Sequence, residues 1–177
     1  MTWGKFVLDE AEHDLTHLDP FVMSVTPKAE GAPTFRVLVS FSHHAFTREF
    51  MEGDREEERF GPVTDVRCFC LSRLVLSSTL PKRIHAASKG KAYFPAPGHA
   101  KQRNFLLVEI SPYEPPYLVA FNFSKARGVD ADVVMFVVSA HPRPGMVPKS
   151  RMDSISFATL VSKVASGQEI KRPPIKK

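Results

Sequence analysis

Three apolar segments follow one another closely in the second half of the chain. They are RNFLLVEI at 103–110, PYLVAFNF at 116–123 and DVVMFVVSA at 132–140. Short segments rich in β-branched and aromatic residues, bounded by Pro, Gly, Ser and Asp, are typical of strands. The connections are too short for crossover helices, so we expect an antiparallel meander. The third segment is apolar on both faces, which predicts a central or covered strand.

Two further strands are predicted upstream, FRVLVSF at 35–41 and DVRCFCL at 65–71. In the first, Phe35, Val37, Val39 and Phe41 would share one face of the sheet. The segment between the two strands is strongly charged, which predicts a solvated helix or loop.

Helices are predicted on either side of these strands. Apolar residues at three- and four-residue spacing indicate a short helix over 3–18 and another over 155–167, with Gly167 as its C-cap. Residues 72–91 fit strand or helix, but Pro81 excludes one uninterrupted helix and suits the first turn of a second.

The predicted class is therefore α+β, with an antiparallel sheet of about five strands, a β-meander in the C-terminal half and flanking helices. We expect a helical extension over residues 1–30, a single domain over 31–170 and a basic tail over 171–177.

Composition limits the class of partner. The 177 residues are 43% hydrophobic and 24% charged, which excludes a disordered chain. A net charge of +5 and a pI near 9.3 permit a polyanionic partner such as RNA without requiring one. An acidic protein could bind the same basic surface. With no long apolar run and only two cysteines, we expect a cytoplasmic protein with no membrane partner.

Two adjacent histidines, His43 and His44, stand where the strand 35–41 ends. On an extended chain they would point to opposite faces, so that one could face a cleft and act as a general acid or base. The alternative is an ordinary strand-end histidine bonded to the backbone. Thr47 and Arg48 follow, and Arg48 could bind phosphate or form a surface ion pair with a nearby acid.

Two other polar groups are candidates for binding a substrate. Ser139, His141 and Arg143 alternate at the end of the third meander strand, where they form either part of a site or a polar cap. The other group is a basic cluster within residues 82–93. It could bind phosphate and stack a base, or it could be a solvated basic face with a core tyrosine. It contains Lys82, Arg83, His85, Lys89, Lys91 and Tyr93.

Motifs for metal, nucleotide or serine chemistry are missing from the sequence. Cys68 and Cys70 would share a strand face near His43 or His44, but there is no CxxC pair, so buried reduced cysteines are favoured over zinc. No GxSxG, Walker loop or GxGxxG occurs either. We therefore expect no metal and no cofactor.

The stretches SFSHHAFT, RCFCLSRLVLSSTLP, MFVVSAHPR and FATLVSKVASGQEIKRPP resemble a bacterial family linked to plasmids and mobile elements. The likeness covers about residues 35–174, and His44, Thr47, Arg73, Tyr93 and Ser139 fall on its patterned positions. More distantly, the chain is similar in architecture to barnase/EndoU/colicin/RelE-like ribonuclease toxins. It departs from them in the order of helices and strands, and none of their diagnostic catalytic motifs aligns.

The resemblance implies metal-independent cleavage of RNA, in which the substrate's 2′-hydroxyl attacks the adjacent phosphate. His44 would transfer the proton, and Arg73, Arg143 or a lysine from 82–91 would stabilise the phosphorane. Tyr93 could stack on a base, and Ser139 would complete the catalytic set. The alternative is a non-catalytic module that binds nucleic acid or a protein partner.

Overall fold

The meander forms the middle of the main sheet. The structure, a computed structural model, describes residues 2–95, 105–109, 116–144 and 152–171. The predicted strands appear as β9 (Phe105–Glu109), β10 (Tyr117–Lys125) and β11 (Val133–Pro142), and β10 pairs antiparallel with both of its neighbours. The antiparallel meander is therefore confirmed. The predicted basic tail lies outside the described residues, apart from Lys171.

The main sheet has seven strands rather than about five, in the order β12-β8-β9-β10-β11-β4-β3. Its other strands are β3 (Phe21–Val25), β4 (Phe35–Phe41), β8 (Lys91–Tyr93) and β12 (Ser154–Ser156). Three of these were missed because three to five residues carry too little periodicity to stand out. The pairing of β11 with β4 is parallel, whereas the other neighbours pair antiparallel. The α+β class holds.

Three helices are described, of which the third was predicted from the sequence, whereas residues 72–91 were left open as strand or helix. The helices are α1 (Leu71–Ser77), α2 (Leu80–Ala87) and α3 (Phe157–Ala165). Pro81 lies in the first turn of α2, as expected. Gly167 follows α3 with a φ of +69°, and the Gln168 amide donates to the Lys163 carbonyl, which is a Schellman C-cap.

The core lies between α3 and one face of the main sheet. Phe157 on α3 is fully buried, and its ring centroid lies 6.0 Å from that of Phe121 on β10. Alternate residues of β4 and β11 complete the layer, because a strand presents every second side chain to the same face. These buried residues are Val37, Val39, Phe41, Val133, Met135 and Val137.

The N-terminal segment is a β-hairpin, so the helix predicted over 3–18 is wrong. β1 (Lys5–Leu8) pairs with β2 (Ala11–Asp14) through a two-residue loop, Asp9-Glu10, in which both residues have positive φ. This is the loop geometry of tight hairpins, which usually requires glycine or asparagine. The loop contains neither, so the usual sequence signature is missing. A 3-10 turn, Thr16–Leu18, follows.

A second small sheet lies beneath this hairpin. Its strands are β5 (Thr47–Glu49), β6 (Arg59–Phe60) and β7 (Arg67–Phe69), in the order β5-β7-β6. Further 3-10 turns occupy His43–Ala45, Glu56–Glu58 and Val63–Asp65. The charged segment is thus part strand and part turn, and the predicted strand 65–71 belongs to this sheet.

Aromatic side chains join the hairpin to the small sheet. Phe46 is fully buried, with its ring centroid 5.2 Å from Trp3 and 4.9 Å from Phe60. The ring centroids of Phe6, on the hairpin, and Phe69, on the small sheet, are 4.7 Å apart. Within the described residues, none of the helices has the length and apolar character needed to cross a bilayer.

Candidate functional site

The candidate site lies at the carboxyl ends of the parallel strands β4 and β11. The Ser42 amide donates to the Val137 carbonyl at 2.8 Å, which holds the end of β4 against β11. Parallel strands place their carboxyl ends at one edge of a sheet, so the residues after both strands meet there. The residues concerned are His43 and His44 after β4, and His141 and Arg143 at the end of β11.

The two histidines face the same side. The expectation of opposite faces is wrong because the strand ends at Phe41 and residues 43–45 form a 3-10 turn, with about three residues per turn. The ring centroids of His43 and His44 are 4.8 Å apart. Ser42 caps the turn, since its hydroxyl accepts a hydrogen bond from the His44 amide at 3.3 Å.

Asp65, at the end of another 3-10 turn, completes the group. Its Oδ2 lies 2.8 Å from His44 Nε2 and 3.3 Å from His43 Nε2. His43 Nε2 is buried and has no hydrogen-bond partner among the described residues. Sequence reasoning missed Asp65 because no motif links it to the histidines. The only local hint is its place in a proline-bounded turn.

Gly61 closes the space behind this group. Its φ is +94°, and a Cβ atom there would lie 2.7 Å from the Asp65 carbonyl oxygen and 3.0 Å from His43 Nε2. Both the backbone conformation and the contact therefore require glycine.

The electrostatics of the group follow from burial and from the hydrogen bond. Donation from His44 holds the pKa of Asp65 below its ordinary value, and the positive charge that His44, His43 and Arg67 can carry acts in the same direction. Burial lowers the pKa of His43, as does the neighbouring His44 charge, while Asp65 opposes this shift. Asp65 is therefore ionised near neutral pH and His43 is uncharged.

Thr47 connects the histidine turn to two arginines. It is fully buried, and its hydroxyl donates to the His43 carbonyl at 2.8 Å. Arg67 Nε lies 3.4 Å from the same hydroxyl, and Arg73 Nη1 donates to the Thr47 carbonyl at 2.5 Å. The sequence predicted that Thr47 binds substrate. In the structure its side chain is buried, and it holds the turn and the two guanidinium groups in place.

Arg73 and His141 lie within electrostatic reach of one another. Burial, followed by the positive charges of Arg73, Arg143 and Arg67, lowers the pKa of His141 to about 4. Burial also lowers the pKa of Arg73, and Arg67 acts in the same direction. His141 is therefore uncharged near neutral pH, and its Nδ1 is buried without a partner among the described residues.

The arginines at this edge have no acidic partner in the described part of the chain, unlike four arginines elsewhere. Among the described residues, no carboxylate pairs with Arg67, Arg73 or Arg143. Elsewhere Arg36 pairs with Asp130, Arg48 with Asp54, Arg55 with Asp9 and Glu58, and Arg59 with Glu56. A group of guanidiniums without acidic partners is suited to bind an anion.

Ser139 is adjacent to the site but is not bonded to it. It pairs with Ala120 beside a β-bulge in β11, and β11 contacts both the His43–Ala45 turn and α1. Its hydroxyl makes no hydrogen bond to a described residue. Of the three predicted catalytic residues, Arg73 bonds the Thr47 carbonyl, and the Thr47 hydroxyl bonds the carbonyl of His43, the residue before His44. Ser139 is joined to this group only by its strand.

Arg48 is engaged elsewhere. Its guanidinium donates to both carboxylate oxygens of Asp54 at 2.6 Å, which raises the pKa of Arg48 and lowers that of Asp54 to about 2. The surface ion pair considered from the sequence is therefore present, with Asp54 as the partner.

The predicted basic cluster lies on α2 and the start of β8. Lys82, His85, Lys89 and Lys91 are exposed. Arg83 lies over the ring of buried Tyr117, 5.4 Å from its centroid, and Tyr117 also acts on the pKa of Arg73. Tyr117, which the sequence analysis missed, therefore lies between this cluster and the strand-end arginines. Tyr93 is half-buried in β8.

The cysteines belong to other groups. Cys68 Sγ lies 3.3 Å from Glu58 Oε2, and burial together with Glu58 raises the pKa of the thiol to about 12. Cys70 Sγ lies 3.2 Å from Ser72 Oγ. Both are free thiols, and neither joins the His43, His44 and Asp65 group.

Comparison with known proteins gives one match. No curated protein and no solved structure matches the chain. None of these comparisons supports the likeness to ribonuclease toxins. The family model described as the YjaZ family matches residues 5–165, a span that includes the N-terminal hairpin as well as both candidate histidines. The chain therefore belongs to the YjaZ family.

Proposed function

We propose that this protein cleaves single-stranded RNA without a metal ion, with His44 as general base and the strand-end arginines as the phosphate-binding group. The observation that carries the proposal is the 2.8 Å contact between His44 Nε2 and Asp65 Oδ2, next to guanidinium groups that have no acidic partner among the described residues. A histidine oriented by a carboxylate is a common device for proton transfer.

The ionised Asp65 fixes the tautomer of His44. Because a carboxylate only accepts hydrogen bonds, the proton of neutral His44 must lie on Nε2, which leaves the lone pair on Nδ1. The His44 side chain keeps 25% of its surface exposed, and the proposed reaction requires Nδ1 to lie on that exposed part.

In the proposed reaction, His44 Nδ1 takes the proton of the 2′-hydroxyl while the 2′-oxygen forms a bond to phosphorus. The bond from phosphorus to the 5′-oxygen breaks, water protonates the leaving oxygen, and a 2′,3′-cyclic phosphate remains. Arg73 and Arg67 would stabilise the additional negative charge on the phosphorane. Arg143, which is exposed, would hold the adjacent part of the backbone.

The test is cleavage of a labelled single-stranded RNA in EDTA. We expect a cyclic-phosphate product from the wild type. The cleavage rate of His44→Gln should be lower by about 100-fold or more, as loss of a general base predicts. His13→Gln, the same change on β2, is the matched control, and thermal unfolding shows whether each variant folds. Absence of product from the wild type, or equal rates for wild type and His44→Gln, would exclude the proposal.

A non-catalytic nucleic-acid binder is the second candidate. It is favoured by the exposed Lys82, Lys89 and Lys91, which form a positive surface on α2 and β8. In that case each lysine would contribute additively, affinity would fall steeply with salt, and no single histidine would matter. Binding measured at two salt concentrations, in parallel with the cleavage assay, separates the two candidates. An acidic protein bound to the same surface would compete with RNA in that assay.

A further inference from the structure

We propose that His43 Nε2, His44 Nε2 and Asp65 Oδ2 form a binding site for a divalent transition-metal ion of the zinc class. The three ligand atoms lie within 4.8 Å of one another. Two imidazole nitrogens and one carboxylate oxygen, with a water molecule as fourth ligand, form a set typical of open tetrahedral sites. Nitrogen donors favour zinc, cobalt, nickel or copper over magnesium and calcium.

The distances fit such an ion. With bonds of about 2.0–2.1 Å, neighbouring ligand atoms of a tetrahedron are about 3.3–3.4 Å apart. His43 Nε2 and Asp65 Oδ2 are already 3.3 Å apart, and His44 Nε2 is hydrogen-bonded to the same oxygen at 2.8 Å. Opening the second contact by about 0.5 Å would bring both histidine–carboxylate distances to the tetrahedral value. The ligand nitrogens of the two histidines lie within 4.8 Å of one another.

The unpartnered nitrogen of His43 is the second argument. Its Nε2 is buried and has no hydrogen-bond partner among the described residues. It lies 3.3 Å from Asp65 Oδ2, the oxygen to which His44 is already hydrogen-bonded. A buried polar atom without a partner is costly. An ion between the three groups would bind this lone pair, while His44 would move its proton to Nδ1 and offer Nε2 as a ligand.

The surroundings hold the ligands in place. Ser42 N, bonded to Val137 O at 2.8 Å, anchors the turn, and the Thr47 hydroxyl fixes the His43 carbonyl at 2.8 Å. Gly61 packs directly against the His43 ring. The Asp65 side chain is 44% exposed, so water can reach the carboxylate that would bind the ion.

Another group of potential ligands, Asp54, Glu58 and Cys68, is less suited to an ion. Both oxygens of Asp54 accept hydrogen bonds from Arg48, so a cation already neutralises that carboxylate. The Cys68 thiol, with its pKa raised to about 12, stays protonated near neutral pH, whereas metal ions bind the thiolate.

This site goes beyond the proposed function and has a consequence for it. An ion on His44 would take the imidazole out of proton transfer, so zinc would inhibit the cleavage that EDTA permits. The inhibition rests on the proposed function, but binding of the ion does not.

The experiment is titration of the full-length protein with Co²⁺, followed by its visible absorption, and with Zn²⁺ by competition against a chromophoric chelator. We expect one ion per chain, tetrahedral cobalt bands, and affinity reduced by about 100-fold or more in His43→Gln and Asp65→Asn. Cys68→Ser is the matched control and should bind like the wild type. Asp65 is half-buried and Asp65→Asn keeps its shape, so this variant is expected to fold even if His43→Gln does not, and circular dichroism checks both.

Lack of one-to-one binding would overturn the proposal, as would loss of binding in Cys68→Ser with retention in Asp65→Asn. Ion binding without RNA cleavage in EDTA would leave this site in place and remove the proposed function. Cleavage in EDTA without ion binding would do the reverse.

Discussion

Asp65 Oδ2 lies 2.8 Å from His44 Nε2, across 21 residues of sequence. The contact joins two 3-10 turns, one that follows β4 and one that precedes β7. Neither turn has regular structure beyond three residues, so the main sheet and the small sheet hold the two side chains together.

We expect Asp65→Asn to lower the rate of RNA cleavage in EDTA by about 10- to 100-fold while the fold persists. The carboxamide has nearly the same shape but no charge, so it holds the His44 tautomer less firmly and stabilises its protonated form less. Initial rates with saturating RNA measure the effect, with thermal unfolding as the check on folding. Unchanged rates would show that the carboxylate does not act on His44 during the reaction.

Gly61 and Gly53 form a matched pair that isolates the packing behind His43. Their φ angles are +94° and +93°, but a Cβ atom would meet His43 and Asp65 only at Gly61, whereas nothing lies within 4 Å at Gly53. We expect Gly53→Ala to cost about 1 kcal/mol through backbone strain alone, and Gly61→Ala to cost about 1–2 kcal/mol more. Urea unfolding measures both. Equal losses would mean that the turn shifts freely and that the contact imposes no constraint.

His141 should make stability depend on pH. Its folded pKa of about 4 lies below the ordinary 6.5, so between these values the unfolded chain binds a proton that the folded chain does not. The free energy of unfolding therefore decreases as pH falls from about 6.5 to 4, and the contribution of His141 is about 1 kcal/mol after allowance for solvent screening.

The variant His141→Asn removes this titration. At pH 7.5 the difference in stability between wild type and variant reports the change in packing, and its change towards pH 4 reports the proton. We expect the free energy of unfolding of the variant to rise relative to that of the wild type as pH falls. A constant difference across the range would contradict the assignment.

Phe46 should be the residue on which the attachment of the N-terminal hairpin depends most. It is fully buried between Trp3, Phe60 and Phe69. Phe46→Ala is expected to cost about 3–5 kcal/mol, through lost burial and the cavity left behind. Val75→Ala on α1, where the side chain is 63% exposed, should change stability by less than about 0.5 kcal/mol. Chemical unfolding compares the two, and a small effect at Phe46 would show that the hairpin can collapse onto the small sheet.

The sequence by itself determined the elements whose periodicity is long and regular. The strand 35–41, the meander and the helix that ends before Gly167 are all local, because alternation and a 3.6-residue repeat follow from backbone geometry within one segment. Pro81 similarly excluded one uninterrupted helix over residues 72–91, although the sequence did not decide between strand and helix before it. His44 was a candidate because of its residue type and its place at a strand end, and Arg73 because of the resemblance. Both stay predictions as site residues.

Only the tertiary structure decided how these pieces meet. The hairpin at 5–14 depends on a loop without glycine and on aromatic packing against Phe46, neither of which a local pattern records. The parallel pairing of β11 with β4 brings His141 to the edge where His43 lies, and it joins segments about a hundred residues apart. Asp65 meets His44 for the same reason: the contact is fixed by the packing of two sheets, and a side chain's partners across a fold are not written in its neighbours along the chain.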